Sequence, residues 1–183
     1  MSHTASNKQG PAKIVDALVD TLRKEEQALQ ELTEAAAAQL EALREHNTDG
    51  MEAKQEATHA TVGTLEQLRS SRERHMRLLG RLLGFEETPS GVAPVVEALR
   101  ERPGMEEAAR TLLNVRTSVR EQAQQAKKQC EDLDFALRYA LSLGQEMMQA
   151  ISALNVPAPP KVYTARGDAS KGTSTRSIVD RVG

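Results

Sequence analysis

From about Met105 to Leu154, small or apolar residues recur every three or four positions, with no proline and a single glycine. Val119, Ala123, Ala126, Cys130, Leu133, Leu137, Ala140, Gly144, Met147, Ile151 and Leu154 step by four and three in alternation. That alternation keeps one seam of an α-helix turned toward a partner helix. At 1.5 Å per residue the segment would run roughly 75 Å, well beyond the diameter of a small domain. It ends at Asn155-Val156-Pro157-Ala158-Pro159-Pro160.

The same period is legible upstream. Ile14, Leu18, Leu22, Leu29, Leu32, Ala36, Leu40 and Leu43 form one stripe of a first helix, with Glu and Gln elsewhere. His46-Asn47-Thr48-Asp49-Gly50 interrupts it with residues that favour turns and helix ends. A second helix is expected from Met51 to about Leu83, with a kink where Thr58, Thr61 and Gly63 weaken its middle. Gly84 to Gly91 reads as a loop. Val92, Val95, Val96 and Leu99 make a short third helix that Pro103-Gly104 ends.

Links of a few residues make neighbouring helices antiparallel. The expected fold is therefore all-α: an elongated antiparallel helical bundle or coiled-coil hairpin of three long helices plus one short one. It would occupy residues 12–155, between a disordered leader (1–11) and a flexible C-terminal tail (156–183) rich in Pro, Gly, Ser and Thr.

Composition narrows the function. Two Phe, two Tyr and no Trp leave a core of Leu, Ala, Val and Met, which suits a slender bundle. A formal net charge of −2 supplies no global field toward nucleic acid or an anionic membrane. The N-terminus lacks the apolar stretch of a secretory signal, and no run approaches the roughly 18 residues of a membrane span. A cytoplasmic protein is expected, with Cys130 a buried, reduced thiol on the seam.

Catalytic patterns are thin. Glu56-Ala57-Thr58-His59 fits the Glu-x-x-His step of di-metal bundles, but that chemistry needs two such motifs and two further glutamates. His3, His46, His59 and His75 stand apart, and no phosphate loop or nucleophile elbow occurs. No enzyme, metal or cofactor is expected. Arg69, Arg72, Arg74, Arg77 and Arg81 read as a face that pairs with the acidic first helix, because no aromatic interleaves them for base stacking. Arg166-Gly167-Asp168 spells an adhesion tripeptide and is read as coincidence.

Two features exceed what a bundle needs. Between Leu133 and Leu154 nearly the whole circumference of the last helix is apolar. Either other helices surround this end, or it is a docking face for a foreign amphipathic helix. The candidate client-binding residues are Leu133, Leu137, Leu141, Met147, Met148, Ile151 and Leu154. The tail, in turn, carries Tyr163, Ile178 and Val179 in a polar setting, which reads as short linear recognition elements.

The order of parts resembles the FlgN family of flagellar export chaperones for hook-associated (hook–filament junction) proteins. The likeness lies in a long acidic first helix, an Arg-rich second helix ending Arg77-Leu78-Leu79-Gly80, and a long last helix. It is sharpest in Ala136-Leu137-Arg138-Tyr139, the proline break, Tyr163-x-x-x-Gly167 and Ile178-Val179-Asp180-Arg181. One departure stands at Ala126-Lys127-Lys128-Gln129-Cys130, where the family often carries an Asn pair. The resemblance implies a cytosolic, ATP-independent chaperone that binds the terminal helix of an unassembled axial protein. It would deliver that client to the cytosolic domain of the flagellar export gate, with Tyr163, Gly167, Ile178 and Val179 in the tail as gate-recognition candidates. The rival class is a structural or adaptor coiled coil that self-associates through the seam, and weak self-association is compatible with either reading. Neither involves nucleic acid or membrane insertion.

Overall fold

In a computed structural model, the structure describes residues 9–154 and the backbone of 162–163 and 169–170. The elements are α1 (Gln9–Arg44), α2 (Thr48–Leu83), α3 (Val92–Arg100), α4 (Glu106–Leu154), β1 (Val162–Tyr163) and β2 (Ala169–Ser170). The fold is all-α in the expected sense, three long helices plus one short. The chain divides into two compact units, Met1–Arg138 and Tyr139–Gly183.

In the first unit, residues 45–47 join α1 to α2, overlapping the break predicted at His46–Gly50 but shorter than it, since Thr48–Gly50 already form the first turn of α2. The amides of His46 and Asn47 bond to the carbonyls of Leu43 and Ala42, closing the end of α1, and His46 takes a left-handed φ of 56°. Asn47 then caps α2, its side-chain oxygen accepting from the amide of Gly50 at 2.9 Å. Three side-chain pairs fix an antiparallel register: Thr21 with His75, Glu25 with Arg72, and Gln39 with Thr58. Each step up α1 is a step down α2.

The core gathers where the first half of α1, the second half of α2, α3 and the start of α4 meet. Val15, Leu18, Val19 and Leu22 pack there with Met76, Leu79, Val92, Val95, Val96 and Leu99 of α3, Ala109 and Leu112. Past Leu22 the buried side of α1 becomes small and polar, with Ala28, Ala36, Ala42, Glu25 and Gln39. Here the sequence reading needs correction, since it left Glu and Gln outside the stripe. Glu25 follows Leu18 and Leu22 at helical spacing and is carried inside with them.

The middle of α2 stays helical throughout. Thr58, Thr61 and Thr64 donate their hydroxyls to the carbonyls of Lys54, Ala57 and Ala60, four residues back, so each hydroxyl is satisfied within the helix. At its end Gly84 adopts a left-handed φ of 87°, and the amide of Phe85 bonds the Gly80 carbonyl. Gly80 is buried against the following loop: a Cβ there would lie 2.7 Å from Cδ of Pro89.

In the second unit the described residues are the end of α4, Tyr139–Leu154, and the two short strands. These pair antiparallel, Val162 with Ser170 and Tyr163 with Ala169. The sequence reading foresaw no strand in the tail. Apart from these four positions, the expected flexibility of 156–183 concerns residues outside those described. Residues 1–8 of the expected leader also lie outside, whereas Gln9, Gly10 and Pro11 already belong to α1. Proline is tolerated in a first helical turn, where the amide it lacks has no partner.

Candidate functional site

α4 changes character along its length. Ala109, Leu112, Ala126 and Leu133 are buried, and every residue from Leu141 to Leu154 is exposed. Among the candidate client-binding residues, Leu133 is buried and Leu137 half-buried, both in the first unit. Leu141 (67% exposed), Met147, Met148 (63%), Ile151 and Leu154 all stand in solvent in the second unit.

The uncovered stretch is also nearly free of charge. Glu146 is the one ionisable carboxylate between Tyr139 and Leu154, and no Lys or Arg occurs there. Leu141 and Met148 lie seven residues apart on one side, while Met147, Ile151 and Leu154 follow the seam. Tyr139 and Leu143 add further exposed apolar area. A large contiguous apolar surface of this kind marks an interaction site more often than a solvated one. The paired methionines suit a surface that adapts to its partner.

Between the core and the rest of the bundle lies a polar layer, of which the sequence reading expected the charge pairing of Arg72 with α1 but not the burial. Arg72 of α2 donates to Glu25 of α1, whose side chain is only 5% exposed and whose second oxygen, Oε1, has no partner. Burial pushes the Glu25 carboxyl above its ordinary range, while the Arg72 charge and hydrogen bond pull it back. Beside it the Thr21 hydroxyl donates to the Ala17 carbonyl at 2.8 Å and sits 3.3 Å from Nδ1 of His75. With the hydroxyl proton committed to Ala17, the ring nitrogen is the donor. Ser118 of α4 donates to Glu26, the residue after Glu25 in α1. Among the described residues, the expected charge pairing between α1 and α2 is thus realised at Arg72. Arg69 pairs along its own helix with Glu73 at 3.2 Å.

Other candidates fall as follows. Glu56 and His59 are both exposed, and among the described residues no three His, Cys, Asp or Glu side chains gather as a metal site. Cys130 is half-buried rather than buried, and burial raises its thiol pKa. Tyr163 lies in β1 by its backbone. Gly167, Ile178, Val179 and the Arg166–Asp168 tripeptide are outside the described residues. Among those described, no helix is long and apolar enough to cross a membrane.

By fold the molecule is an all-α helical protein of three long helices and one short one. The chain belongs to the FlgN family: the family model, described as FlgN protein, matches residues 14–171. This is a family of flagellar export chaperones, not of enzymes. Neither the curated proteins nor the solved structures gave a match.

Proposed function

We propose that this protein is a cytoplasmic chaperone of flagellar type III export that holds the terminal amphipathic helix of hook-associated proteins against the exposed end of α4. The observation that carries this reading is the uncovered, nearly uncharged surface of Leu141, Met147, Met148, Ile151 and Leu154. An unassembled axial protein exposes an apolar helix face of its own, and laying the two faces together removes both from water. Aggregation of the client is suppressed because its sticky face is occupied. The tail then supplies delivery: Tyr163, with Gly167, Ile178 and Val179, is assigned to the cytosolic domain of the export gate, where one aromatic anchor can dominate a weak interface.

The test is a titration of purified hook-associated protein into wild-type, Leu141→Glu and Met148→Glu chains. Leu141 has about two thirds of its surface left to bury, worth about 1–2 kcal/mol, and a buried charge adds to the loss. Affinity should fall about tenfold or more, with the melting temperature unchanged. Retained binding, or unfolding of both variants, would refute the site. Tyr163→Ala should keep client affinity and lower client secretion. A stable dimer in light scattering that excludes the client would favour the structural coiled-coil reading instead.

A further inference from the structure

A second uncovered face runs along α2, in the first unit. Leu78 and Leu82 are 43% and 41% exposed, and Arg74, Arg77 and Arg81 beside them are exposed as well. At about 100° per residue, these five positions share one arc of about 140°. The buried Met76 and Leu79 lie on the opposite side of the helix, facing the core. The face therefore points away from the bundle it belongs to.

Its charges are uncompensated. Arg69 and Arg72 have carboxylate partners in Glu73 and Glu25, but among the described residues Arg74, Arg77 and Arg81 have none. Three unpaired guanidiniums around two exposed leucines, in a chain of net charge −2, differ from an ordinary solvated face, where both signs intersperse. Leucine also gains nothing from exposure.

We infer that this face docks an acidic amphipathic helix of a partner protein. Arg74 and Arg81 stand two turns apart, with Arg77 between them, a spacing matched by carboxylates at i, i+3 or i+4, and i+7 of a facing helix. Each guanidinium can hold a carboxylate through two parallel N–H···O bonds. Leu78 and Leu82 then bury against the apolar edge of the same helix. A membrane surface fits less well, because two half-covered leucines without an aromatic side chain offer little area to insert. Duplex DNA would leave the leucines facing the backbone. The site lies on another helix from the proposed client surface, so either assignment can fail alone.

The probe is a synthetic helical peptide with Glu at those three positions beside two leucines, titrated into the full chain by fluorescence anisotropy. Its affinity should fall about tenfold or more in the Arg74→Gln/Arg77→Gln/Arg81→Gln chain and in the Leu78→Ser/Leu82→Ser chain, and should weaken steeply with salt. Circular dichroism of both chains should match wild type, since the three arginines are exposed and neither leucine belongs to the core. Binding should return when Arg74→Glu/Arg77→Glu/Arg81→Glu meets the same peptide with Lys in place of Glu. The inference is overturned if the wild type ignores the peptide or the glutamine chain binds it equally well. It is also overturned if phosphatidylglycerol vesicles or duplex DNA compete it away at lower concentration.

Discussion

The Glu25–Arg72 pair makes a stability prediction with a definite asymmetry. Its carboxylate is the buried member, 5% exposed with one oxygen unpartnered, whereas the Arg72 side chain is 33% exposed. Replacing Arg72 with Met keeps the packed stem but leaves an uncompensated charge inside, which costs about 3–5 kcal/mol. For a chain of this size that is a fall in melting temperature of roughly 6–20 °C. Replacing Glu25 with Gln removes the buried charge and leaves a guanidinium that can reach water, so the expected cost is about 1 kcal/mol or less.

The pH dependence follows from the raised carboxyl pKa. Because burial lifts it above 4.5, the native state holds this proton to higher pH than the unfolded chain does. The ionised carboxylate is therefore a penalty on the fold above its native pKa, relieved as pH falls through that value toward 4.5. Loss of Arg72 removes the two effects that pulled the pKa down, widening this window. The cost of Arg72→Met should thus be largest at neutral pH and shrink in mild acid, while that of Glu25→Gln should run the other way, smallest at neutral pH and growing as acid relieves the wild type. Urea unfolding followed by far-UV circular dichroism at both pH values measures this, and the double variant should recover most of the Arg72→Met loss. Equal costs for the two single variants, or an Arg72→Met cost that grows on acidification, would refute the reasoning.

Two further contrasts are accessible to the same melts. Gly63→Ala meets no atom within 4 Å and should stabilise by up to about 1 kcal/mol through helix propensity, whereas Gly80→Ala drives a methyl into Pro89 and should destabilise by about 1–2 kcal/mol net. Equal shifts of the same sign would contradict the packing of the α2–α3 loop. Leu79→Ala, at a fully buried position, should cost about 2–5 kcal/mol, against no more than about 0.5 kcal/mol for Leu154→Ala, whose side chain is 85% exposed. A large loss from Leu154→Ala would mean that the end of α4 is core.

Much of this was written in local order. The four helices, their turn at His46–Gly50 and the loop before Val92 follow from periodicity and from Asn, Gly and Pro at their ends, because helix formation is decided by neighbours three and four residues apart. All four apolar residues assigned to the short helix are buried. The family resemblance was legible too, through motifs that, apart from Ile178-Val179-Asp180-Arg181, lie within the residues 14–171 that the family model matches.

What periodicity could not decide was the occupant of each seam position. Glu25 and Gln39 read as solvated because they are polar, yet their spacing places them inside, and only the partners across the gap, Arg72 and Thr58, make burial tolerable. Similarly, five arginines on α2 read as one pairing face, although a helix presents them to several directions and, among the described residues, Arg72 is the one that pairs with α1. The apolar end of α4 shows the limit most plainly. Its four-three alternation is the same at Ala126 and Leu133, which are buried, as at Ile151 and Leu154, which are not. A hydrophobic stripe states that a helix has a face to cover. Whether the chain itself covers it depends on where the other helices stop, and that is a property of the tertiary structure alone.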